Sequence, residues 1–89
     1  MALSSIYQPS LPRAAPEAAA EIGRRVRRRR LATGLTQAEL AAPYTRSFIS
    51  ALEQGRSLPS LRVLWLISAR LGVEVGELVD GVNPFQTPE

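Results

Sequence analysis

Apolar residues recur along the chain at helical spacing, in short runs bounded by residues suited to start or stop a helix. Ile22 and Val26 lie one turn apart, and the same face continues to Arg30 and Thr33. This first helix is expected to open near Pro16, which a first turn tolerates, with Glu17 and Glu21 near its positive end, and to stop at Gly34. Thr36 is a good N-cap, and Glu39 three positions on can close a capping box, so a second helix starts at Gln37. Ala38, Leu40 and Ala41 give it small and apolar contacts. Pro43 cuts it short, because proline lacks the amide that would continue the helix and pushes Ala42 towards an extended conformation. Thr45 is the next N-cap, and Phe48, Ile49 and Leu52 then repeat at three- and four-residue spacing up to Gly55, predicting a third helix over about Arg46 to Gln54.

The loop Arg56, Ser57, Leu58, Pro59 follows, and Ser60 caps a fourth helix reaching about Leu71, with Leu61, Leu64, Ile67, Ser68 and Leu71 as its inward stripe. Val63, Trp65 and Leu66 broaden that stripe beyond what one core face needs, which leaves Trp65 and Leu66 either completing the core or forming an exposed patch. Gly72 ends the helix, and Val73 to Val79 predicts a short fifth one with Val75, Leu78 and Val79 inward. Residues 1–14, with Pro9, Pro12 and three serines, show no sustained period and read as a disordered arm. Arg13 alone is thin support for a minor-groove role there. A domain over 15–80 and a tail over 81–89, whose Val82 and Phe85 can fold back or join a dimer contact, complete the division.

The third helix has a second face. Opposite Phe48, Ile49 and Leu52 it carries Arg46, Ser47, Ser50, Ala51 and Gln54, small or polar groups that permit close approach by a flat partner surface.

Composition narrows the chemistry. Eighty-nine residues suit one small core. The chain has no cysteine and no histidine, which removes disulfides, thiolate zinc sites and the usual nucleophile and base pairs. No convergent carboxylate cluster replaces them, so neither enzyme activity, a cofactor nor a metal is expected. The longest apolar run, Val63 to Ile67, is far short of the roughly 20 residues a membrane span needs, and a cytoplasmic protein is expected. Net charge is +3, and all eleven basic residues are arginine. Basicity of this kind fits a phosphate-rich partner. Yet Arg24, Arg25 and Arg27 to Arg30 crowd into the first helix, while acids outnumber bases after Gly34, so charge alone does not single out DNA. Arg24, Arg25, Arg27 and Arg28 read as a solvated basic face rather than phosphate contacts.

The stretch Gly34, Leu35, Thr36, Gln37, Glu39, Leu40, Ala41, with Ile49, Ser50, Leu52, Glu53, Gly55 and then Pro59, Ser60, Leu61, Leu64, Ile67, Leu71, Gly72, Val73, resembles the Cro and phage-repressor (Xre-like) helix-turn-helix family. The likeness covers about Ile22 to Val79. One departure stands out: the common form carries roughly two more residues between the paired helices, usually with a glycine, where this chain has Ala42, Pro43 and Tyr44. Arg29 also stands where many relatives have leucine, with Leu31 expected to supply the apolar contact.

The resemblance implies an all-α, compact five-helix lambda-repressor-like domain that binds double-stranded DNA in a sequence-specific way. A small transcriptional regulator, most simply a repressor, is the expected role. The third helix would enter the major groove with Thr45, Arg46, Ser47, Ser50 and Ala51 facing bases. Thr36, Gln37, Arg56, Ser57 and Arg62 would hold phosphates. Arg30, four residues before Gly34, would pair with Glu53 and tie the first helix to the third. Two copies would read a palindromic operator as a homodimer, with Trp65, Leu66, Val82 and Phe85 as the candidate contact surface. The alternative is a protein-binding adaptor, or an antitoxin that combines DNA and partner binding on the same fold.

Overall fold

A computed structural model describes residues 16–83, so the arm over 1–14 and Phe85 lie outside the described residues. Five helices form among them, and no strand: α1 Pro16–Thr33, α2 Gln37–Ala41, α3 Arg46–Glu53, α4 Leu61–Leu71 and α5 Val75–Val79. Three of the starts are fixed by the side chains the sequence offers. Thr36 and Glu39 close a capping box, Thr45 Oγ1 accepts from the Phe48 amide at 3.2 Å, and Ser60 Oγ accepts from the Val63 amide at 3.2 Å. At the start of α5 the Glu77 carboxylate accepts from the Glu74 amide at 3.2 Å.

Each helix contributes to one core: Ile22 and Val26 from α1, Leu40 and Ala41 from α2, Ile49 and Leu52 from α3, Val63, Leu64, Ile67 and Leu71 from α4, and Leu78 from α5. Two glycines let α1 cross the end of α3 at very short range. A Cβ on Gly23 would lie 2.5 Å from the Leu52 carbonyl oxygen, and one on Gly55 would lie 2.8 Å from the Ala20 Cα. Ala18 and Ala19 are buried in the same stretch of α1. The small residues of α1 thus set how deeply the C-terminal end of α3 is held.

Several expected inward positions are not inward. Leu61 is 62% exposed. Side chains lean towards a helix N-terminus, and Leu61 is the first residue of α4, so its side chain leans past the end of the helix while Val63 takes a place in the core. Thr33 is exposed, and its hydroxyl donates back to the Arg29 carbonyl at 2.7 Å. Gly34, at φ 79°, turns the chain so that Leu35 packs on the core instead. Leu31 is 54% exposed and outside the core, about 140° around α1 from Val26, while its neighbour Arg29 pairs with Glu77 of α5 at 2.6 Å. Gln54 lies one residue beyond α3 as its C-cap.

The arginine-rich face is only partly solvated. Arg24 and Arg25 both bind Glu21, and Arg25 also donates to the Asp80 carbonyl at 2.8 Å, clasping α1 to the end of α5. Arg27 and Arg28 are exposed. No helix of the described residues is long and apolar enough to cross a membrane.

Candidate nucleic-acid interface

The paired helices α2 and α3 are fixed to the rest of the protein by one buried polar cluster. Arg30 Nε donates to Glu53 Oε2 at 2.6 Å, and Arg30 Nη2 donates to Glu53 Oε1 at 3.0 Å. Their side chains retain only 9% and 2% of their exposure. Gln37 Nε2 adds a third bond to the same carboxylate at 3.1 Å, and Arg30 Nη1 donates to the Leu35 carbonyl at 2.9 Å. The first residue of α2, the last residue of α3 and the last turn of the domain's longest helix therefore meet at a single carboxylate. Donating to the Glu53 carboxylate holds the Arg30 guanidinium above its usual range. Among the described residues, no buried side-chain nitrogen or oxygen lacks a partner.

The short turn has its own fastening. After Ala41 the chain passes through extended Ala42 and a cis Ala42–Pro43 peptide. Arg70 of α4 donates to the Leu40 carbonyl at 3.0 Å and to the Ala42 carbonyl, supplying partners to the orphan carbonyls that end α2. Tyr44 closes the turn, its amide donating to the Ala41 carbonyl at 2.7 Å. Its ring stacks on Phe48, centroids 4.8 Å apart and planes at 27°.

With Ile49, Leu52 and Glu53 buried, the opposite face of α3 is turned outward. Thr45, Arg46 and Ser47 are exposed, and Ser50 and Ala51 are half-buried. The Ser50 hydroxyl accepts from Gln54 Nε2 at 3.0 Å. Arg56, Ser57 and Arg62 are exposed on the segment that follows. Arg46, Arg56 and Arg62 make no ion pair among the described residues, whereas Arg24, Arg25, Arg29 and Arg30 all do. Thr36 is exposed with its hydroxyl committed to the Glu39 amide, and Gln37 is half-buried against Glu53. Trp65 is 62% exposed, Leu66 is half-buried, and Val82 packs against the core. Among the described residues, no group of three or more acidic side chains converges as a metal site.

Residues 26–78, which contain the helix pair and most of the core, match the helix-turn-helix family model. The chain belongs to that family, of Cro and phage-repressor type.

The helix-turn-helix protein also resembles solved structures. The restriction-modification controller protein C.AhdI from Aeromonas hydrophila is 29% identical with a TM-score of 0.66, over 71% of this chain and 94% of that one. PlcR from Bacillus thuringiensis, solved with the peptide PapR7 and DNA, is 30% identical with a TM-score of 0.65, over 67% of this chain. The chain spans 22% of that PlcR chain. The hydroxypropylphosphonic acid epoxidase from S. wedmorenis matches at 25% identity and a TM-score of 0.66, over 78% of this chain and 38% of its own, so the fold also occurs within an enzyme. None of the curated proteins compared with it matches the chain. Family and regulator neighbours together place the helix-turn-helix protein among DNA-binding transcription regulators.

Three features of this site went unnoticed in the sequence. Gln37 binds the Arg30 and Glu53 pair, Arg70 fastens the turn, and Gly23 admits the end of α3. Only Gly23 left a trace, as a glycine in a helix interior, where it weakens the helix by about 1 kcal/mol unless packing requires it.

Proposed function

We propose that the protein is a sequence-specific binder of double-stranded DNA that regulates transcription, most simply as a repressor, with α3 in the major groove. The observation that carries this reading is the outward face of α3 and its flank, where Arg46, Arg56 and Arg62 are exposed without acidic partners among the described residues, beside a helix whose other face is locked into the core. Arg46 bridges the O6 and N7 acceptors of a guanine, worth about 1–3 kcal/mol of discrimination. Thr45, Ser47 and Ser50 donate to bases, and Ala51 meets a thymine methyl group. Thr45 accepts in its cap and keeps its hydroxyl hydrogen to donate. Arg56, Ser57 and Arg62 hold phosphates on one flank, and Thr36 and Gln37 on the other. Gln37 has two amide hydrogens, one for Glu53 and one for a phosphate.

One domain reads few base pairs, so two copies bind a palindromic operator with successive major grooves about 34 Å apart. The unit is the domain over 15–80, working in the cytoplasm where the DNA lies. Selection from a random duplex library tests this reading: an enriched palindrome supports it, and no enrichment refutes it.

A second reading, of protein binding, is favoured by Trp65, whose large apolar side chain is 62% exposed on α4 with Leu66 half-buried next to it. As a homodimer surface this patch serves DNA binding; as an adaptor or antitoxin surface it serves a different partner. Trp65→Glu separates them, since loss of self-association together with operator affinity marks the dimer. Unchanged operator binding leaves the patch to another protein.

A further inference from the structure

The turn between α2 and α3 carries an aromatic pair to which no role in binding has been given. Tyr44 stands one residue before the Thr45 cap, at the end of α3 that also holds Arg46. It is 39% exposed, and its hydroxyl has no hydrogen-bond partner among the described residues. Phe48 lies on the flank of α3 between its buried and outward faces, about 60° around the helix from Ala51. The stack of Tyr44 on Phe48 thus forms a wall along one edge of the outward face. Phe48 is itself packed partly against the core, so the Tyr44 ring rests on a fixed support. A ring held in place by stacking has little freedom left to lose on binding.

We propose that Tyr44 is a DNA-positioning residue whose hydroxyl donates a hydrogen bond to a backbone phosphate beside the bases facing α3, with Phe48 holding its ring in the required orientation. The proposal rests on the DNA-binding reading above. A phenol suits the task, because it combines an apolar body, able to lie along the groove wall, with one donor at its tip. A contact of this kind fixes register and carries no sequence information. The donor is neutral, so it releases no counterion and leaves the salt dependence of binding unchanged.

The experiment compares the full chain with Tyr44→Phe, which keeps the stack and removes only the hydroxyl, on the duplex selected by the wild type. Single phosphates of that duplex are replaced one at a time by neutral methylphosphonate. Tyr44→Phe should bind about tenfold more weakly, with an unchanged melting temperature, sequence preference and salt slope. One methylphosphonate should cost the wild type about the same factor and cost Tyr44→Phe nothing further. Tyr44→Phe binding with wild-type affinity, or losing as much as the wild type at every methylphosphonate, overturns the proposal while leaving DNA binding intact. A wild type that selects no sequence overturns both.

Discussion

Glu53 offers the sharpest test of how the helix pair is held. Its carboxylate accepts two bonds from Arg30 and one from Gln37, and both charged side chains are at least nine-tenths buried. Glu53→Ala removes all three acceptor contacts and leaves the Arg30 guanidinium buried with only the Leu35 carbonyl. Breaking a buried pair from one side costs about 3–5 kcal/mol, because the remaining charge has lost its compensation. That is a large part of the roughly 5–15 kcal/mol that holds a typical domain. At about 4–8 °C per kcal/mol for a domain of this size, the melting temperature should fall by at least about 12 °C. Arg30→Met should cost a comparable amount, since it leaves Glu53 with Gln37 alone. The double variant Arg30→Met, Glu53→Leu should lose far less than the sum, because an apolar pair needs no compensation. Thermal and urea unfolding followed by circular dichroism gives all the values of the cycle. Single variants that each cost under about 1 kcal/mol, as exposed pairs do, would show that the cluster does not act as a buried pair, as would a double variant that costs the full sum.

Other consequences concern packing, the turn and pH. Gly23→Ala should destabilise by at least about 1 kcal/mol despite the better helix propensity of alanine, because its Cβ meets backbone oxygens of Leu52 and Glu53 at 2.5 and 2.7 Å; a stabilised variant in urea unfolding would contradict the close crossing. Arg70→Ala should cost about 1–2 kcal/mol and speed hydrogen exchange at the Tyr44 amide, with Arg70→Lys recovering part of the loss; unchanged exchange would sink that role for Arg70. Hydrogen bonds from Arg24, then Arg25, hold the Glu21 carboxyl below its usual value of 4.5. Its contribution to stability is therefore present above 4.5 and lost as the pH falls through the lowered value. In an NMR titration Arg24→Ala should move Glu21 back towards 4.5, and a wild-type Glu21 already titrating there would contradict the pairing.

What the sequence made legible was local. Thr36, Thr45 and Ser60 announce their helices because a cap acts within three residues, and the outward face of α3 follows from the spacing of Ile49 and Leu52. Leu61 departs from the inward stripe because periodicity says which side of a helix a residue occupies, not whether the helix has a neighbour at that end. Arg29 and Arg70 act on residues 48, 30 and 28 positions away, and no local pattern marks such partners. The Arg30 and Glu53 pair was implied only by resemblance, since burial, not spacing, brings them together.

A helix α3 that reads DNA through Arg46 must lose its choice of sequence when that side chain is removed. The most direct test is to titrate the wild type and Arg46→Ala against the best duplex from a random library and against scrambled DNA, at near-physiological salt. The wild type should prefer a palindromic site by about a thousandfold or more, with that preference greatly reduced in Arg46→Ala while its melting temperature is unchanged. Equal, weak and salt-sensitive binding of the wild type to both duplexes would contradict it.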